Sequence, residues 1–101
     1  MTTPASIAGR NVHSGRKVTV SAGTRVQLKS SGNAEQIVIS AEEDNTGAIV
    51  IGDSSIIASA TTRTGHVLES GDSLVLSNVV LSSIYLDSTV SGEGITFIYT
   101  T

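Results

Sequence analysis

Beyond residue 16, the apolar residues of this chain recur at every second position, in short runs cut by turn formers. That rhythm decides what the chain can fold into. A period of two sends alternate side chains to opposite faces of a strand, whereas a helix needs a period near 3.6. Segments 17–20, 25–29, 35–41, 48–52, 56–60, 66–68, 73–76, 84–88 and 95–99 read as strands. Between them, Ser21-Ala22-Gly23-Thr24, Ser30-Ser31-Gly32-Asn33, Asp53-Ser54-Ser55, Glu69-Ser70-Gly71-Asp72 and Ser91-Gly92-Glu93-Gly94 supply turn chemistry. No run of ten residues keeps a helical period, which excludes βαβ folds. Strands recurring at roughly 8–12-residue spacing predict an all-β fold, an antiparallel β-sandwich of jelly-roll-like type. Within it, residues 35–52 read as a hairpin around Asp44-Asn45-Thr46-Gly47, with Ile49, Val50 and Ile51 apolar on both faces of a central strand. Val18 and Val20 are expected to share one face. Residues 77–83 fit either a short helical turn or an ordered loop.

The core must be aliphatic. Val and Ile together number 21 against six Leu, and the only aromatic residues are Tyr85, Phe97 and Tyr99. Branching at Cβ stiffens side chains and favours strands. The absence of Cys excludes a disulfide scaffold, a thiolate metal site and a cysteine nucleophile. With 101 residues there is room for one domain, and a chain of that size buries only about 60–65% of its unfolded surface. Such a module gains stability from being held by neighbours.

Charge is divided along the chain. Residues 1–34 carry Arg10, Arg16, Lys17, Arg25 and Lys29 and no acid, whereas residues 35–101 carry all nine acids and only Arg63. The net charge of −3 thus joins a basic first third (+5) to an acidic body (−8). Residues 1–15, with Pro4, Gly9, Asn11, Ser14 and Gly15, show no period and read as an extended N-terminal arm preceding a β domain over 16–101. The basic residues suit either pairing with the chain's own sheet or docking on an acidic protein surface. Five cations without aromatic interleaving argue against nucleic acid. No apolar run reaches the ~20 residues needed to span a bilayer, so no membrane partner is expected. Residues 1–8 lack a basic and then apolar leader pattern, so cytoplasmic assembly is expected.

Enzymatic chemistry finds little support. His13 and His66 are 53 positions apart, no Gly-x-Ser-x-Gly elbow marks a nucleophile, and Glu42-Glu43-Asp44-Asn45 lacks the alternating spacing of a calcium loop. No catalytic residue, metal ligand or cofactor is predicted. A sugar-binding face would need exposed rings, and Phe97 shares its strand face with Ile95 and Tyr99, leaving Tyr85 as the candidate outward ring.

A succession of short motifs carries a resemblance. Asn45-Thr46-Gly47-Ala48-Ile49-Val50-Ile51-Gly52-Asp53-Ser54 is followed by Leu68-Glu69-Ser70-Gly71-Asp72-Ser73-Leu74. Then come Leu81-Ser82-Ser83-Ile84-Tyr85-Leu86-Asp87 and Ser91-Gly92-Glu93-Gly94-Ile95-Thr96-Phe97-Ile98-Tyr99. In order and spacing, over roughly residues 17–99, this resembles small β-rich virion proteins of tailed bacteriophages, except that Ser70 stands where the pattern has Pro. The resemblance implies a capsid decoration (cement) protein on the outer surface of a phage head. Its partners would be the major capsid protein and further copies of itself, with a trimer favoured. Arg10, Arg16, Lys17, Arg25 and Tyr85 are the expected partner-binding residues. A fibre or receptor-binding module, a carbohydrate-binding module and a head–tail joining protein are the alternatives.

Overall fold

A computed structural model describes residues 11–101, and residues 1–10 of the expected arm, Arg10 included, lie outside the described residues. The strands are β1 (Val12–Val18), β2 (Val26–Gln27), β3 (Asn33–Ala41), β4 (Ile49–Gly52), β5 (His66–Leu68), β6 (Ser73–Val80), β7 (Tyr85–Ser88) and β8 (Gly94–Thr100). One 3-10 turn, Leu81–Ser83, precedes β7. The strands form two four-stranded antiparallel sheets, β1-β8-β3-β6 (the front sheet) and β2-β7-β4-β5 (the back sheet). Consecutive strands change sheet at every step except β4–β5. The pairing is nested, with β1 on β8, β2 on β7, β3 on β6 and β4 on β5, and the two sheets make an antiparallel β-sandwich.

The core lies between the sheets. Ile37, Ile39, Ala41, Ile95 and Tyr99 of the front sheet meet Ile49, Ile51, Leu68 and Leu86 of the back sheet, with Leu28, Leu81 and Ile84 closing one end. Each fully buried aliphatic side chain contributes about 1.5–3 kcal/mol relative to exposure, which is how so small a sandwich manages with few aromatics. Phe97 packs against the same cluster, as its strand parity implied.

A second, smaller cluster sits outside the back sheet. Val50 points away from Ile49 and Ile51, and Ile56 and Ala58 cover it together with Val67 and Tyr85. The covering segment is the 53–65 connection, folded back over its own sheet. An Asx turn at Asp53, whose Oδ1 accepts from the Ser55 amide at 2.9 Å, starts it, and main-chain bonds between Ile57 and Thr64 close it. It approaches so closely that a Cβ on Gly52 would lie 2.5 Å from Ile56. Val50 thus explains why residues 48–52 read as apolar on both faces.

Four expectations change. Residues 35–52 are not a hairpin, because β3 and β4 belong to different sheets and the 42–48 connection crosses between them. Residues 56–60 supply one isolated bridge, Ile57–Thr64, instead of a strand. Residues 12–15 are not irregular: β1 pairs with β8 from Val12 opposite Thr100 to Val18 opposite Gly94. Val18 and Val20 do not share a core face, since the strand ends at Val18 and Val20 is 79% exposed. The ambiguous 77–83 stretch resolves into the end of β6 followed by the 3-10 turn.

Candidate functional site

The residues that carried the resemblance mostly hold turns, and two of its motifs hold each other. The Asn45 side chain is buried, donates from Nδ2 to the Gly94 carbonyl at 2.9 Å and accepts from the Gly94 amide at Oδ1 at 3.4 Å. The Glu93 carboxylate takes the Thr46 amide at 2.5 Å, the Thr46 hydroxyl at 2.9 Å and the Gly47 amide at 2.8 Å. These donors, the Thr46 amide first, hold its pKa below the ordinary glutamate value. The Asn-Thr-Gly and Gly-Glu-Gly segments are thereby clasped, which ties the sheet-crossing 42–48 connection to the start of β8. Gly94 is needed there because a Cβ would lie 2.2 Å from the Lys17 carbonyl oxygen, and Gly47 because one would lie 2.3 Å from Thr89 Oγ1.

The remaining buried polar groups are structural too. Asp87 Oδ1 accepts from the Gly23 amide at 3.1 Å and the Ser88 amide at 2.7 Å, while Thr19 and Ser88 donate to main-chain carbonyls of Glu93 and Val90. Among the described residues no buried side-chain nitrogen or oxygen lacks a partner, and no group of three His, Asp or Glu side chains could hold a metal ion. No described helix is long and apolar enough to cross a membrane.

Among the described residues, the outer face of the front sheet is a broad surface that ranges from exposed (Val12, Ser14, Thr96, Val75) to half-buried (Val38, Ile98). Register aligns Ser14, Ile98, Val38 and Val75 in one row across the four strands, and Arg16, Thr96, Ser40 and Ser73 in the next. Val12, Thr100, Gln36 and Ser77 form a third, in which Thr100 is buried and Gln36 half-buried. Short β-branched and hydroxyl side chains fill these rows, and Arg16 is their single charge. Ser40 and Ser73 join across the β3–β6 pair, Oγ to Oγ, at 2.7 Å. These rows are therefore weakly polar and nearly uncharged, which lowers the desolvation cost of covering them.

The predicted binding residues are scattered by comparison. Arg16, on β1, makes a bidentate pair with Glu42, Nε to Oε2 at 2.5 Å and Nη2 to Oε1 at 3.0 Å. The pairing holds the Glu42 pKa below the ordinary glutamate value. Arg16 is thus engaged by its own sheet while its side chain stays 60% exposed. Lys17 is half-buried on β1 opposite Ile95, and Arg25 is exposed just before β2. Both have no ion-pair partner among the described residues. Since β1 and β2 edge their respective sheets, these cations line sheet edges. Tyr85 is half-buried against Val50, Ile56 and Ala58 on the back sheet, across β2 from the neighbourhood of Arg25, whereas Arg16 and Lys17 lie on the front sheet.

The carboxylates gather at the end of the sandwich where Arg16 meets Glu42. The connections 42–48, 69–72 and 89–93 leave the sandwich at one end, where Ala41 bonds to Gly71 and Asp72, and Glu42 to Gly94, through the main chain. This brings Glu42, Glu43, Asp44, Glu69, Asp72 and Glu93 to that end. Charge division along the chain is not division in space, because Arg16 and Lys17 lie at this same end, Arg16 paired with Glu42 and Lys17 opposite Ile95. Sequence reading missed the front-sheet face, although the alternation of Val38, Val75 and Ile98 with core residues carried the signal. The chain matches no protein-family model, no curated protein and no solved structure.

Proposed function

We propose that this chain is a structural virion protein of a tailed bacteriophage, a decoration or cement protein on the outer surface of the head. The observation that carries the reading is the front-sheet face, Ser14-Ile98-Val38-Val75 with Arg16-Thr96-Ser40-Ser73 beside it, which offers short side chains and low charge instead of a cleft. A protein that reinforces a shell needs such a surface, a rigid frame behind it, and partners presented in many copies. The major capsid protein is the proposed partner, with the chain acting as a homo-oligomer after assembly in the host cytoplasm. Lys17 and Arg25, which hold no ion pair among the described residues, would steer the approach to an acidic shell, with Arg10 as a further cation of the chain. The clasp of Asn45 and Glu93 supplies the rigidity.

The reading is tested by adding purified chain to phage heads that lack it and counting bound copies by imaging. Occupancy spread across the shell, weakened by Thr96→Glu on this face and by rising salt, is the expected result. Binding confined to a vertex or to the head–tail junction, or no binding, overturns it.

A further inference from the structure

The two long edges of the front sheet differ in how they are guarded. β1 presents Arg16 and Lys17, and its core-side positions are His13, Gly15 and Lys17. Charged residues on an edge discourage another strand from adding to it. β6 has no such guard: from Ser73 to Leu86 there is no charged residue. Among the described residues β6 pairs only with β3, so its far side presents unpaired main-chain donors and acceptors. Its core-facing Leu74 and Leu76 belong to the hydrophobic core yet remain only half-buried, and Val75 is 51% exposed. The core is therefore open along this edge.

We infer that β6 is a self-association edge, on which the β6 strand of a second copy pairs antiparallel about a two-fold axis through Val75. The register follows from the strand. Asn78 adopts a positive φ of 52°, and beyond it the inward position passes from Leu76 to Val79, so the regular stretch is Ser73 to Ser77. Centred on Val75, it places Ser73 opposite Ser77 of the second copy, Leu74 opposite Leu76 and Val75 opposite Val75. Every side chain keeps its face, as antiparallel pairing about a residue requires. The leucines of the two copies cover each other's open flanks, and the hydroxyls pair on the outer face. The occupant is a second copy because a neutral strand meets its own image without like-charge repulsion, which the Arg16-Lys17 edge would suffer. The two front sheets become one sheet of eight strands, with a two-fold contact in place of the expected three-fold one. This inference does not depend on the virion reading.

Sedimentation of the full chain over a range of concentrations tests it. A monomer–dimer equilibrium is expected, and Val75→Lys should weaken it about tenfold or more by placing two ammonium groups at the axis. Val75 points to solvent, so circular dichroism of the variant should match the parent. Independently, the chain contains no cysteine. Val75→Cys should therefore crosslink two chains on oxidation, whereas the control Thr96→Cys, on the same face but away from the edge, should not. A chain that stays monomeric at all concentrations overturns the inference. So does an oligomer that Val75→Lys leaves intact, or equal crosslinking at both positions.

Discussion

β1 and β6 edge the same sheet and are nearly equal in length, yet they are held in different ways. β6 owes its place to side chains: Leu74, Leu76 and Val79 reach the core from its inner face. β1 owes its place to β8. Its inward positions are His13, stacked on Tyr99 at 4.8 Å, Gly15, lying under the Phe97 ring, and Lys17. A strand that buries little apolar surface stays in place through main-chain pairing and aromatic cover. The contrast teaches that stability and protection trade off between the edges. The edge that rests on apolar side chains is the one open to addition, and the edge that rests on main-chain pairing is the guarded one.

The largest expected effect breaks the guarded edge. Gly94→Ala sets a Cβ against the main chain at Lys17, which cannot yield as a side chain would. A loss of about 3 kcal/mol in urea unfolding is expected, at the upper end for overpacking. Hydrogen exchange should show amides 12–18 losing protection while the β3–β6 ladder keeps it; the reverse order would refute the comparison. Next comes the other edge. Asn78→Val puts a β-branched residue at positive φ and should cost roughly 1–2 kcal/mol, whereas Asn78→Gly should be close to neutral.

A smaller effect follows from removing the guards. Arg16→Thr with Lys17→Thr should change stability by less than about 1 kcal/mol, because Arg16 is largely exposed and its ion pair is screened. With both edges then neutral, light scattering should show open-ended assembly beyond a dimer. The mildest change is with pH. Glu93 and Glu42 both have pKa values lowered from the ordinary 4.5, by amide donors and by Arg16 respectively. A lowered carboxyl pKa contributes stability above the unfolded value and loses it as pH falls through the folded one. Thermal stability should therefore hold from neutral pH down to about 4.5 and decline below it. Glu93→Gln should flatten part of that decline.

Alternation at period two made the sandwich and most of its core readable from the sequence, because Ile37, Ile39 and Ala41, and likewise Ile95, Phe97 and Tyr99, recur at every second position. The same logic hid β1, whose inward residues are polar or glycine and leave no apolar rhythm. The 35–52 hairpin was misread because turn chemistry reports that the chain bends, not which sheet it enters next. There the Asp-Asn-Thr-Gly turn serves a crossing that the clasp with Glu93 and Gly94 holds. Of the expected binding residues, Arg16 has its intramolecular partner 26 positions away, a separation no local pattern reveals.

The main chain of Asn11 bonds to that of Thr101 in both directions, at 3.2 and 3.0 Å, so β1 begins where β8 finishes. That corner has a mechanical consequence. Tension applied between residues 11 and 101 would pull the β1–β8 pair apart from one end, breaking its bonds in turn instead of together. A tether at one of these positions would leave that seam unloaded, whereas tethers at both would make it the first part of the molecule to open.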